Sequence, residues 1–199
     1  MRLAPLIGQK FKSRKLHSQI VHELRGLVMK HAEGFRLLMR SGNFPCATPQ
    51  LRIQYEAAAR LVWVRFSATE TAVTKMVVAL TEENLARSAG NLPMAKEMLD
   101  RLVESTGVPR VILRSLLRFS AEDLKESNSA VHSGPLAIFR HRDGYPESWR
   151  VRLIQASNDL LMATARLQVA LSCSQAQREA LALIGREFAS CLPPSRMAA

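Results

Sequence analysis

Apolar residues recur along this chain at the three- and four-residue spacing of amphipathic helices, and no stretch alternates apolar and polar positions long enough to argue for a strand. An all-α fold follows. The first helix is predicted from about Leu16 to Arg40, stopped by Ser41-Gly42-Asn43. Thr48 is the expected N-cap of the next, with Pro49 in the first helical position. Ser67-Ala68-Thr69-Glu70 reads as a capping box leading through Val73, Met76, Val77 and Leu80, and Gly90 closes that region. Pro93 opens a helix ending near Gly107. Pro109 opens another that restarts at Ser120-Ala121-Glu122-Asp123 and stops after His132, before Gly134 and Pro135. A loop is expected from Ser133 to Tyr145, then a long helix from Pro146 to about Leu171. Ser174-Gln175-Ala176-Gln177 caps a last helix to about Ser190. The pattern predicts a single helical-bundle domain of five to seven helices over residues 16–191, flanked by a basic segment 1–15 and a frayed tail 192–199 with Pro193-Pro194.

Composition fits a folded chain. At 199 residues with 47 % hydrophobic and 23 % charged residues, it can bury a core without cross-links. Cys46, Cys173 and Cys191 are far apart and lack ligand spacing, so no disulfide framework and no metal site is expected, and reduced thiols in a cytoplasm fit best. No apolar run is long enough for a signal-peptide core or a membrane span, and no cofactor motif is present. The net charge is +11, which predicts attraction to RNA or another polyanion. The charge is concentrated near the start: residues 1–40 hold nine Lys or Arg, including Lys12, Arg14 and Lys15, against Glu23 and Glu33. A solvated basic face is the plainer reading of that segment.

Three groups of residues could carry chemistry. Arg52, Glu56 and Arg60, with Trp63 beside them, draw a charged stripe down the otherwise apolar helix after Pro49. They must pair as an ion ladder or line a polar cavity. Arg110, Arg114 and Arg118 form a ridge that could follow a phosphate backbone, or an exposed face paired at its acidic end by Glu122 and Glu126. Asn128 and His132 share a helix face just before the break at Gly134. His132 either caps terminal carbonyls as a cation or serves as a tunable base facing Arg140, His141, Arg142 and Tyr145. Asn158 falls inside the apolar stripe of the long helix, so its amide is expected to be buried and partnered from that loop. There is no GxSxG elbow, phosphate-binding glycine loop or HExxH.

The run Asn128-Ser129-Ala130-Val131-His132-Ser133-Gly134, followed by Arg140-His141, Gly144-Tyr145-Pro146 and Asn158, joins Arg52, Glu56, Arg60 and Trp63 in a set of motifs. From about Arg36 to Ser172 this set resembles an uncharacterised bacterial family of all-helical proteins with no established activity. More remotely, a helical bundle with a histidine closing a late helix resembles the HEPN group. That resemblance implies a homodimeric, metal-independent ribonuclease of defence or toxin systems, in which histidine acts on the ribose hydroxyl and arginine stabilises the phosphorane. On it, His132 would be the acid or base, Asn128 would orient it, and Arg52, Arg60 or Arg140 would contact phosphate. Glu56 would stand beside the arginines, with Tyr145, Asn158 and His141 in support. The chain departs from the HEPN pattern where it matters: Lys125, Glu126 and Ser127 occupy the positions before His132 where that group carries arginine. Arg25 and His31 have the required spacing, but one or two such matches arise by chance. The second reading is a non-catalytic module, in which these residues lock the helix break and the basic surface binds nucleic acid or an acidic protein.

Overall fold

A computed structural model describes residues 2–7, 16–77 and 92–194. Among them the chain forms ten α-helices and one 3-10 turn, with no strand. The helices are α1 (Ala4–Ile7), α2 (Leu16–Arg40), α3 (Phe44–Phe66), α4 (Glu70–Lys75), α5 (Ala95–Glu104), α6 (Arg110–Glu122), α7 (Leu124–Val131), α8 (Pro135–Asp143), α9 (Glu147–Ser172) and α10 (Gln175–Glu187), then the turn Ala189–Cys191. The all-α class stands, but five to seven helices was too few, because short helices replace segments read as loops or continuations. Gly90, Leu80, Lys12, Arg14 and Lys15 lie outside the described residues. Among the described residues no helix is long and apolar enough to cross a membrane.

α3 is the central element, as its two apolar faces require. Leu51, Tyr55, Ala58, Ala59 and Val62 are buried on one side and Ala57, Leu61, Trp63 and Val64 on the other. α2 runs alongside it, while α5, α6, α7 and α9 close the remaining sides. Tyr55 stacks on Phe119 of α6 with centroids 4.4 Å apart, a pair contributing about 1 kcal/mol beyond its buried area. Leu6 and Ile7 of the basic N-terminal segment join the same core, and α1 packs on α9.

α3 starts earlier than its sequence suggests. Asn43 caps it by accepting from the Cys46 N–H at 3.4 Å, and Pro45 stands in the first turn, where a missing N–H costs nothing. Pro49 therefore sits inside the helix, and the Thr48 hydroxyl bonds back to the Phe44 carbonyl at 3.0 Å instead of capping. The α4 cap is Thr69, whose hydroxyl accepts from the Ala72 N–H. α6 gives way to α7 at Asp123, a little beyond the expected restart.

α8 occupies the segment expected to be a loop. It has no buried residue and no side-chain cap of its own, so no apolar stripe marks it, although Pro135 at its first position and Gly144 at its end are helix start and stop signals. Its start is pinned from a distance: the Ser129 hydroxyl accepts from the N–H groups of Leu136 and Ala137, at 3.0 and 3.2 Å. α7 ends in a Schellman-type closure, with Ser133 in the left-handed region at φ 50° and the Gly134 N–H on the Ser129 carbonyl at 2.8 Å. A Cβ on Gly134 would stand 2.8 Å from the Ser129 hydroxyl, so a side chain there must displace the group that caps α8. Gly134→Ala is accordingly expected to destabilise the chain by about 1–3 kcal/mol, and Ser129→Ala by about 1 kcal/mol. The double variant should cost less than the sum, because removing the hydroxyl removes the clash. Urea unfolding of the three variants measures the coupling, and simple additivity would contradict this account.

Candidate functional site

The residues around the helix break divide into two sets. Arg52 donates from Nε to the Asn128 side-chain oxygen at 2.6 Å and pairs through its terminal nitrogen with Glu56, also at 2.6 Å. The ion-ladder reading thus holds for the first two members of the stripe. Arg60 stands apart, its buried Nε without a hydrogen-bond partner. His132 is the exposed C-cap of α7: its backbone N–H bonds the Asn128 carbonyl, and its ring has no partner among the described residues. Helix direction explains the separation. Arg52 meets Asn128, whereas Tyr55, farther along α3, meets Phe119, earlier in the chain. α3 therefore runs opposite to α6 and α7, and His132, a turn beyond Asn128, lies away from Glu56 and Arg60.

The groups that do converge at the break are centred on Glu126. One carboxylate oxygen accepts from Arg140 Nε at 2.8 Å and from the Trp149 indole N–H at 2.7 Å. The other accepts from Arg152 at 2.5 Å. Arg152 also pairs with Asp123 and donates to the Glu122 carbonyl at 3.2 Å. Tyr145 and Trp149 pack with Phe44, and the Arg140 guanidinium lies 5.6 Å over the Trp149 ring. One acidic side chain thus ties α7, α8 and α9 together.

Burial alone would raise the Glu126 carboxyl. The hydrogen bonds from Arg140 and Trp149, with the charges of Arg152 and Arg140, hold it below its ordinary value instead. Asp123 goes the other way: burial pushes it up to about 6, against the pull of Arg152 and with the repulsion of Glu122 and Glu126. A carboxyl whose folded pKa is raised binds more protons folded than unfolded, so its contribution to stability falls as pH rises from about 4 to about 6 and is flat above. Asp123→Asn should therefore gain on the parent chain over that window, by on the order of 2 kcal/mol. Urea midpoints at pH 4, 5, 6 and 7 check this, and a constant difference between the two proteins would refute it.

Asn158 is not part of this cluster. It is half-buried on another face of α9, where it accepts from Arg36 at 2.9 Å and donates to the Cys191 carbonyl at 3.0 Å. Its expected partners in the 133–145 segment are thus replaced by α2 and the C-terminal turn. Its neighbours Ser157 and Asp159 are the buried polar residues there.

Asp159 opens a second site. A cleft of about 820 Å³ runs between α6, α9 and α10, lined by Arg114, Arg118, Arg166, Arg178 and Arg186, with Asp159 its one acidic residue. Asp159 accepts from the Ser115 hydroxyl at 3.0 Å and lies 3.8 Å from Arg118. Burial raises its carboxyl, opposed by Arg118, Ser115 and Arg166. Burial lowers Arg166, which has Asp159 in its favour and Arg118 against it, and makes no hydrogen bond among the described residues. Arg114, Arg178 and Arg186 are exposed. Of the arginine ridge read from the sequence, Arg114 and Arg118 face this cleft and Arg110 does not line it. Arg166, Arg178 and Arg186 were missed because they lie on two other helices. The signal available for them was Asp159, a carboxylate inside an apolar stripe two turns, seven residues, short of Arg166.

Among the described residues no group of histidine, cysteine or acidic side chains could hold a metal ion, and the three cysteines are exposed and unpaired. Fold and surface define an all-helical protein with one acid-centred junction and one arginine-lined cleft. The chain belongs to the family of unknown function DUF6988, which it matches over residues 26–194. No curated protein and no solved structure matches it.

Proposed function

We propose that this protein binds single-stranded RNA without cleaving it, using the arginine-lined cleft. The supporting observation is the gathering of five guanidinium groups from three helices around one partly neutralising carboxylate. Such a field attracts phosphate oxygens, and guanidinium planes both bond phosphate and stack on unpaired bases. A concave cleft of this volume suits a flexible strand better than a duplex, which would be read along an extended surface. The placement of His132 favours binding over cleavage. Transphosphorylation needs a base beside the ribose hydroxyl and a cation beside the phosphate, whereas Arg52 is engaged by Asn128 and Glu56 and the His132 ring stands in solvent away from Arg60.

The test is a titration of labelled single-stranded RNA at several salt concentrations, with product analysis on a denaturing gel. Binding should weaken steeply with salt, cleft arginine variants should flatten that dependence, and His132→Ala should change neither binding nor RNA integrity. Cleavage that disappears in His132→Ala while the melting temperature stays constant would replace this reading with the HEPN-type ribonuclease.

A further inference from the structure

We infer that the cavity beside the helix break binds a small amphiphilic carboxylate, its acid group held by Arg140 and its apolar body between α8 and the start of α3. This inference is independent of RNA binding in the arginine cleft. The cavity measures about 450 Å³, within the range of small-molecule sites, and its walls are chiefly Pro45, Pro49, Leu136, Ile138, Tyr145 and Trp149. They are held in place before any ligand arrives. Ser129 fixes the start of α8, Glu126 fixes Arg140 and Trp149, and Phe44 packs on Tyr145.

The polar groups of the cavity narrow the ligand. Glu126 is its one carboxylate, and both oxygens are already engaged, by three donors. Arg140 has given only its Nε–H to Glu126, so its terminal nitrogens retain their donors. The Thr48 hydroxyl is spent on the Phe44 carbonyl. Ser133, His141 and Tyr145 also line the cavity, but Arg140 is its one arginine or lysine and Glu126, its one carboxylate, already holds three donors, so the lining favours a ligand that brings an anion over one that brings an ammonium group. A planar carboxylate fits the fork of a guanidinium, and one arginine suits one negative charge. The apolar walls require the rest of the ligand to be hydrocarbon or aromatic, so a nucleotide or sugar phosphate would lose hydration there without compensation.

Decanoate, decanol and decyltrimethylammonium, titrated into the full chain, separate head group from tail. Trp149 fluorescence reports the cavity wall, and the alkylation rate of Cys46, which is exposed and lines the cavity, gives a second readout by peptide mass spectrometry. Decanoate should bind saturably and slow alkylation of Cys46 but not of Cys173. Decanol should bind at least tenfold more weakly, and the cation should not bind. Arg140→Gln should reduce decanoate affinity tenfold or more and leave decanol unchanged. Because that variant also disturbs the Glu126 junction, Ala137→Phe fills the cavity with the junction intact and should abolish binding of both while unfolding remains cooperative. Arg178→Gln, at an exposed position of the arginine cleft, should leave decanoate binding as it was. Equal affinity for decanoate and decanol, loss of decanoate binding in Arg178→Gln, or no saturable binding would each overturn the inference.

Discussion

Glu126→Ala should lower the stability of this protein by about 3 kcal/mol, a fall of roughly 6–12 °C in melting temperature for a chain of this size. Three donors on three side chains depend on one carboxylate that is only 16 % exposed. Its removal leaves the Trp149 N–H without an acceptor in a buried residue, and the half-buried Arg140 without its carboxylate partner. Arg152 keeps Asp123, which holds the loss to the low end of what breaking a buried ion pair costs. Glu126→Gln should recover part of it, since an amide oxygen still accepts from the indole but no longer offsets two guanidinium charges. Arg142 provides the control. It pairs with Asp143 at 2.5 Å but is 71 % exposed, so Arg142→Ala should leave the unfolding midpoint essentially unchanged. Denaturant unfolding with matched slopes decides the matter: a loss below about 1 kcal/mol for Glu126→Ala would mean that the junction behaves as solvated surface.

The second large effect concerns affinity. Replacing Arg114, Arg178 and Arg186 together by glutamine should weaken RNA binding on the order of a hundredfold at low salt, and should reduce the slope of log affinity against log salt by about 2, since each phosphate contact on a single strand contributes about 0.7. These three side chains are exposed, and among the described residues their one side-chain hydrogen bond runs from Arg178 to Gln175 on the same helix, so folding should be spared. Arg118 and Arg166 are unsuitable for this test because both help balance the buried Asp159. The matching variant is Lys12, Arg14 and Lys15 to glutamine, drawn from the basic N-terminal segment. If that triple flattens the salt dependence and the cleft triple does not, the phosphate contacts belong to the N-terminal segment and the cleft reading fails.

How far the sequence was legible varies by element. α2 was read to its ends, because a long amphipathic period and the Ser41-Gly42-Asn43 stop are local signals. α9 was read within a residue or so, since Pro146 opens it and its left-handed C-cap at Cys173 follows directly. α3 was placed but started late, because Thr48-Pro49 imitates a start more strongly than Asn43-Phe44-Pro45. α8 was read as a loop despite Pro135 and Gly144 at its ends, because it has no apolar stripe: its cap is Ser129, and its fixed arginine depends on Glu126, both on the preceding helix. For the site, sequence spacing selected Asn128, Arg140 and Tyr145 correctly as neighbours of the break, but treated Glu126 as part of an exposed acidic end and passed over Trp149 and Arg152.

The chain by itself therefore determined the all-helical class, the central helix with its charged stripe, and the basic surface, because periodicity, capping and net charge are properties of neighbouring residues. Tertiary structure alone decided which of the charges meet. Antiparallel packing of α3 against α6 and α7 joined Arg52 to Asn128 and left His132 in solvent, and the approach of α9 to the break gave Glu126 its three donors. The arginine cleft arose in the same way, from helices whose sequences are far apart and whose guanidinium groups share a field only once the core between them is closed.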